Sequence, residues 1–181
     1  MVSKEIQGMK EGDELVYSGH VKLIKRPFGK IKYDVVLSKD AAIMLYIDEA
    51  DMVYMTQQFR PAIDQMELCL PAETLDKPGK SPLEVMLEGL EEECGRKIKE
   101  EQVEYLGKVA SSAGHDSEFV YMFIARGESE EVGQRLEDTE KINIVKKPFQ
   151  EVYQMALEGR IIGAKTMALL FYEKLKRENL R

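Results

Sequence analysis

The chain has 181 residues, which suits one domain or one domain with a small extension. Hydrophobic residues make up 44% and charged residues 33%, the composition of a globular protein with a sizeable core. The net charge of −7 and the lack of a basic stripe argue against nucleic acid as a partner. No apolar run reaches the roughly 18 residues of a membrane span, and no signal-peptide core is present. We therefore expect a cytoplasmic protein without a membrane association, in which the two cysteines are buried thiols.

The first third of the chain is predicted to form β-strands. Segments 14–26 and 31–38 alternate loosely between apolar and polar residues around a turn signal at 27–30, which predicts an antiparallel hairpin. Apolar runs predict three more strands, at 41–48, 51–59 and 66–73.

One helix, at 82–94, has clear start and stop signals. Ser81 and Glu84 form the S-x-x-E pattern of a capping box, and Gly95 suits the position just past the helix end. One face is apolar and consists of Leu83, Met86, Leu87, Leu90 and Cys94. Strands are then predicted at 103–109, 119–126 and 142–146, and helices at 149–158 and 164–178. This order of elements predicts an α+β layered domain.

The predicted helix at 82–94 carries a run of glutamates near its C-terminal end. At about 100° per residue, Gly89, Glu92 and Glu93 form one patch beside the apolar face. Glu88 and Glu92 are like charges four residues apart, and the helix dipole also disfavours anions at this end. A divalent cation would relieve both effects, and oxygen ligands suit Mg²⁺ or Mn²⁺. A solvated charge run, with Glu91 as a solubilising residue, is the other interpretation.

The segment MELCLPAETLDKPGKSPLEVMLEGLEEECG, at 66–95, resembles the Nudix box, G-x5-E-x7-R-E-U-x-E-E-x-G-U with U apolar, and the strand before it. QQFRPA at 57–62, SAGHDSEF at 112–119 and EGRIIGAKTMALL at 158–170 resemble segments of the ADP-ribose and nucleoside-diphosphate-sugar pyrophosphatase branch. The resemblance implies a Nudix-type α/β/α sandwich around a mixed sheet at 41–181, preceded by an antiparallel β extension at 1–40. It also implies a homodimer, since N-terminal strands of that branch cross to the partner subunit.

The resemblance further implies the activity and the site. The expected reaction is Mg²⁺- or Mn²⁺-dependent hydrolysis of the pyrophosphate bond in a nucleoside diphosphate sugar or an ADP-ribose-like substrate. The implied metal ligands are Glu92, Glu93 and the backbone carbonyl of Ala72, with Glu88 as an imperfect addition. Arg60 is expected to contact a substrate phosphate, and Glu118 to contact the metal or its water. In the late loop at 127–141, Glu140 and Asp138 are the candidates for the general base.

An extra residue lies in TLDKPGK at 74–80, and the box's opening glycine, its first glutamate and its Arg-Glu pair are all replaced. Glu73 replaces its opening glycine, Lys80 replaces its first glutamate, and Glu88 and Gly89 replace its Arg-Glu pair. Gly89 offers no side chain to a metal, so the helix supplies one carboxylate fewer. Three functions stay open: a hydrolase of low activity, a catalytically inactive Nudix-fold protein that binds a nucleotide-like ligand or acts as a scaffold, and an acidic interaction module unrelated to phosphates.

Overall fold

The computed structural model describes residues 8–136 and 141–179, which form an α+β fold. A seven-stranded mixed sheet lies between one helix on one face and two helices on the other, and a separate three-stranded sheet precedes it. The predicted α/β/α sandwich around a mixed sheet, with an N-terminal antiparallel extension, is therefore confirmed.

The strands and helices follow the predicted order. The strands are β1 (Glu14–Ser18), β2 (Lys22–Phe28), β3 (Ile31–Leu37), β4 (Ala41–Ile47), β5 (Met52–Arg60), β6 (Gln65–Cys69), β7 (Ala72–Thr74), β8 (Arg96–Lys97), β9 (Val103–Ala110), β10 (Phe119–Arg126), β11 (Glu130–Glu131) and β12 (Asn143–Pro148). The helices are α1 (Pro82–Cys94), α2 (Phe149–Leu157) and α3 (Ala164–Asn179), and a 3₁₀ turn covers Glu100–Gln102. Among the described helices, none is long and apolar enough to cross a membrane.

The large sheet explains why β4 is apolar throughout. Its strand order is β12-β5-β4-β10-β9, with β6 beside β5 and β7 beside β4. The β4–β10 pair is parallel, whereas the other pairs in this sheet are antiparallel. All seven residues of β4 are buried: Ile43 and Leu45 face the core under α2 and α3, and Met44 and Tyr46 face the core under α1. A central strand covered on both faces needs apolar side chains in both directions.

The apolar face predicted for α1 packs on the sheet, with Met86, Leu90 and Cys94 buried. The buried face is wider than predicted, because Gly89 and Glu93 are buried as well. A glutamate that is only 6% exposed marks this side of the helix as more than a solvated surface.

The N-terminal extension contains three strands, not only a hairpin. The β2–β3 hairpin turns at Gly29, whose φ of 61° suits glycine. The first predicted strand breaks at Gly19 and His20, so that β1 folds back on β2. The end of β3 holds the loop before β10: the Val36 N–H donates to the carbonyl of His115 at 2.7 Å. The extension therefore helps to position the loop that carries Glu118.

Candidate active site

Both ends of α1 are fixed by specific contacts. At the start, the Ser81 hydroxyl accepts a hydrogen bond from the Glu84 N–H at 3.2 Å, and the Glu84 carboxylate accepts one from the Ser81 N–H at 2.7 Å. This is the predicted capping box. At the end, Gly95 has a φ of 63°, and a Cβ there would lie 2.8 Å from the backbone of Gly133. Glycine is required there by both the left-handed conformation and the close approach.

The segment 132–135 completes the C-terminal end of α1. The Arg135 N–H donates to the Glu92 carbonyl at 2.8 Å, and the Gln134 side-chain amide donates to the Glu93 carbonyl at 2.8 Å. The last carbonyls of a helix have no partner within the helix, so these bonds satisfy them. They also hold the turn that carries both glutamates in a fixed orientation.

A cleft of about 460 Å³ brings together three residues that the sequence predicts for the site, Arg60, Ala72 and Glu118. Arg60 ends β5, Ala72 begins β7 beside β4, and Glu118 immediately precedes β10. Glu73 and Lys165 line the same cleft. The resemblance assigned no role to Glu73 or Lys165, and Lys165 had no signal beyond its place in the segment 158–170.

The cleft contains two cationic side chains, each beside a carboxylate. Arg60 donates from Nε to Glu67 at 2.8 Å, and its side chain is 41% exposed. Lys165 Nζ lies 3.6 Å from a carboxylate oxygen of Glu118. The exposed guanidinium N–H groups can bind phosphate oxygens in a bidentate manner, and the ammonium adds a second positive charge. The cleft therefore has the charges needed for a diphosphate.

The side chain of Glu73 occupies the space directly above Gly89. A Cβ built on Gly89 would lie 2.1 Å from Cγ of Glu73 and 2.3 Å from its Oε1. No side chain can be accommodated at position 89 while Glu73 keeps this conformation. The side chain of Glu73 on β7 thus occupies the space that α1 leaves empty at Gly89.

The outer glutamates of α1 are neutralised by lysines from the preceding loop. Lys80 and Lys77 both form ion pairs with Glu88, the latter at 3.1 Å. Lys77 also lies 3.5 Å from Glu92. The Lys80 ammonium, and then that of Lys77, hold the pKa of Glu88 below its usual range. These side chains surround a surface depression of about 430 Å³ that is separate from the cleft with Arg60.

Comparison with known proteins finds relatives over most of the chain, although no family model matches it. The chain is 29% identical to a methanol dehydrogenase activator of Bacillus methanolicus and 26% identical to an ADP-ribose pyrophosphatase of Bacillus subtilis (strain 168). Each match extends over 170 residues and covers 90% of this chain and 90% of the relative. A crystal structure of an ADP compounds hydrolase shares its fold, with a TM-score of 0.72 at 17% identity, over 93% of this chain and 94% of that chain. These similarities agree with the resemblance to the Nudix box that the sequence carries.

Two contacting pairs account for the four replaced glycine and charged positions of the Nudix box. The box has Glu and Arg where this chain has Lys80 and Glu88, so both charges are reversed, and the two side chains form an ion pair. The box has Gly and Glu where this chain has Glu73 and Gly89, so the carboxylate has moved from the helix to the strand. Each change is matched by a change in the residue that it contacts.

The donor set fits a metal ion in part. Within residues 8–136 and 141–179, no group of three or more His, Cys, Asp and Glu side chains converges to hold a metal. The Glu73 carboxylate nevertheless lies over Gly89, and Glu93 is one helical turn further on the same face. Both are hard oxygen donors, as is the Ala72 carbonyl at the edge of the cleft. Mg²⁺ keeps several waters and binds substrate phosphates, so a set of two carboxylates and a carbonyl suffices for one ion.

The remaining predicted residues lie apart from the cleft or outside the described residues. Glu88 and Glu92 border the separate depression on α1. Glu91, expected to be a solubilising residue, forms an ion pair with Arg135. The two candidates for the general base, Asp138 and Glu140, fall outside the residues that the structure describes.

Proposed function

We propose that the protein hydrolyses the pyrophosphate bond of a nucleoside diphosphate sugar or an ADP-ribose-like substrate, with Mg²⁺ or Mn²⁺ as cofactor. The cleft that combines Arg60, Lys165 and Glu118 with Ala72 and Glu73 carries this proposal, because it pairs phosphate-binding cations with oxygen donors for a metal. The names of the Bacillus subtilis relative and of the structural neighbour refer to the same class of substrate.

The side chains of the cleft divide the work as follows. Arg60 and Lys165 bind the two phosphates and orient the bridging oxygen away from the attacking water. The Ala72 carbonyl and Glu93 would hold the metal, which would neutralise the charge that develops on the phosphates. Glu92, which the sequence also predicts as a ligand, borders the separate depression on α1. Glu118 accepts the proton of the water that attacks phosphorus, with Asp138 and Glu140 as the other candidate bases. The expected products are a nucleoside monophosphate and a sugar phosphate.

A hydrolysis assay tests the proposal. The purified chain is incubated with ADP-ribose and with several nucleoside diphosphate sugars, with Mg²⁺, Mn²⁺ or EDTA. We expect release of nucleoside monophosphate that requires the metal and that falls in Arg60→Ala. Asp76→Asn is the control, because Asp76 pairs with Lys39 at the surface and does not line the cleft. If no substrate of this class releases nucleoside monophosphate with either metal, the proposal is wrong.

A second function, ligand binding without catalysis, is favoured by one observation. Lys77 and Lys80 already neutralise Glu88 and Glu92, so the outer face of α1 needs no metal for charge balance. The methanol dehydrogenase activator of Bacillus methanolicus is named for an effect on another protein. Calorimetry with ADP would show binding of the nucleotide in a protein that releases no product, whereas turnover would refute this second function.

We also propose that the N-terminal sheet forms a homodimer. Its strands expose large apolar side chains, among them Tyr17, Phe28, Ile31 and Tyr33, each at least 48% exposed. Large apolar side chains exposed in such number are commonly covered in an assembly. Light scattering at micromolar concentration should give the mass of two chains, and Phe28→Ser with Tyr33→Ser should shift it toward one. A monomeric mass for the unaltered chain would refute the dimer.

A further inference from the structure

We infer that Glu73 has taken over the role of a carboxylate at position 89, so that the cation-binding carboxylates of this cleft are Glu73 from β7 and Glu93 from α1. This inference rests on the proposed function and identifies one of the residues that perform it. The change of element matters, because it makes Gly89 a requirement of the site and not a defect in it.

The first argument is steric. Cγ, Cδ and Oε1 of Glu73 all lie within 2.5 Å of the point where a Cβ of residue 89 would be. Real Cβ atoms do not approach other atoms so closely, so the volume of a side chain at 89 is already filled, and it is filled by a carboxylate. Its oxygen therefore lies at the start of the path that a glutamate side chain from position 89 would follow.

The second argument concerns the face that Glu73 reaches. Positions 89 and 93 are four residues apart and lie on the same face of α1. Gly89 is buried and Glu93 is 94% buried, as its 6% exposure shows, so this face is directed into the protein beside the cleft. Glu73 itself lines the cleft. The Glu73 carboxylate over Gly89 thus lies between the cleft and the buried Glu93 of the helix.

Glu73 and Gly89 are each otherwise unfavourable at their positions. Glu73 lies opposite Ala42 in the ladder between β7 and the central strand β4, which fixes its backbone. Glycine inside a helix lowers helix stability compared with alanine. A disfavoured glycine and a second acidic side chain in an acidic region are both explained if the carboxylate binds a cation.

Titration with Mn²⁺ alone, followed by the electron paramagnetic resonance signal of the free ion, tests the inference without substrate. We expect Glu73→Gln to weaken Mn²⁺ binding at least tenfold, and Asp76→Asn to leave it unchanged. Gly89→Ala should weaken binding to a similar extent, although it removes no carboxylate and adds a better helix former. Its added methyl group must displace the Glu73 side chain. Thermal unfolding of each variant confirms that the fold is retained.

Reciprocal exchange provides the sharpest comparison. Gly89→Glu alone should not strengthen Mn²⁺ binding, because Glu73 fills the space. Glu73→Gly with Gly89→Glu should bind Mn²⁺ within a few-fold of the unaltered chain, since the carboxylate then comes from the helix. Stronger binding in Gly89→Glu alone would overturn the inference, as would unchanged binding in Glu73→Gln.

The outcomes separate this inference from the proposed function. Hydrolysis that persists while Glu73→Gln binds Mn²⁺ normally refutes the inference and leaves the function intact. Mn²⁺ binding that depends on Glu73, in a chain that hydrolyses none of the tested substrates, refutes the function and supports the inference. Absence of Mn²⁺ binding at millimolar concentration in the unaltered chain overturns the inference.

Discussion

Replacing Glu93 by glutamine should separate the stability of α1 from its function. Glu93 lies in the last turn of the helix, one residue before its end, and is 6% exposed. A negative charge in this turn opposes the helix dipole by about 0.3–1 kcal/mol. Burial of an ionised carboxylate adds to that cost. Glutamine has nearly the same volume and no charge, so we expect the free energy of unfolding to rise by up to about 1 kcal/mol. For a chain of this size, that corresponds to an increase in Tm of about 2–4 °C.

The same variant should lose activity. Changing a residue that only supports a metal ligand already lowers metal affinity or activity roughly 10–100-fold. Loss of a ligand itself should therefore reduce Mg²⁺-dependent hydrolysis by about 100-fold or more. Calorimetric unfolding in EDTA and release of nucleoside monophosphate from ADP-ribose measure the two effects. Glu91→Gln is the matched control, because Glu91 lies on the same helix and pairs with Arg135. Hydrolysis by Glu93→Gln at the rate of the unaltered chain would refute the assignment of Glu93, and a lower Tm would refute the electrostatic reasoning.

Three other variants give further predictions. Arg60→Ala should raise the KM for ADP-ribose by roughly 10-fold or more, because a charged hydrogen bond contributes about 1.5–3 kcal/mol. Arg60→Lys should restore part of the lost affinity. An unchanged KM would exclude phosphate binding by Arg60. Lys77→Ala should lower Tm without metal and increase the stabilisation that Mg²⁺ provides, because Glu88 loses a counter-cation; an equal response to Mg²⁺ in both proteins would contradict this. The hydrogen bond from Lys176 is the main cause of the lowered pKa of Glu104. The stability that ionised Glu104 contributes should therefore be complete well above pH 4.5 and disappear as the pH falls through the lowered pKa. Tm measured from pH 7 to 3 should show this as curves for Glu104→Gln and the unaltered chain that converge at low pH.

Local signals in the sequence predict most of the fold. The capping box, the apolar face and Gly95 define α1 to the residue, because each depends on contacts within a few positions. The continuous apolar run of β4 predicts a strand buried on both faces. The two-residue strands β8 and β11 carry no periodic pattern, and their pairing depends on residues that are far apart in the chain. The sequence pattern does not predict the break between β1 and β2, because its loose alternation continues through Gly19 and His20.

The site was only partly predictable, and the reason lies in its pairwise contacts. The resemblance places Arg60, Ala72 and Glu118 at the same site, and the cleft brings them together. It compares positions one at a time, however, so Glu73 and Gly89 were two independent losses in the sequence. Only the three-dimensional structure shows that the side chain of one occupies the space left by the other.

The same reasoning applies to the second contacting pair and changes the meaning of the altered box. A site that decays without function accumulates changes independently, so a loss at one position is not matched at the residue that it contacts. Here the charge reversal at Lys80 is matched by Glu88, and the glycine at 89 is matched by Glu73. Two matched pairs among the four replaced glycine and charged positions are the pattern expected of a binding site that is still in use, whether its phosphates are hydrolysed or only held.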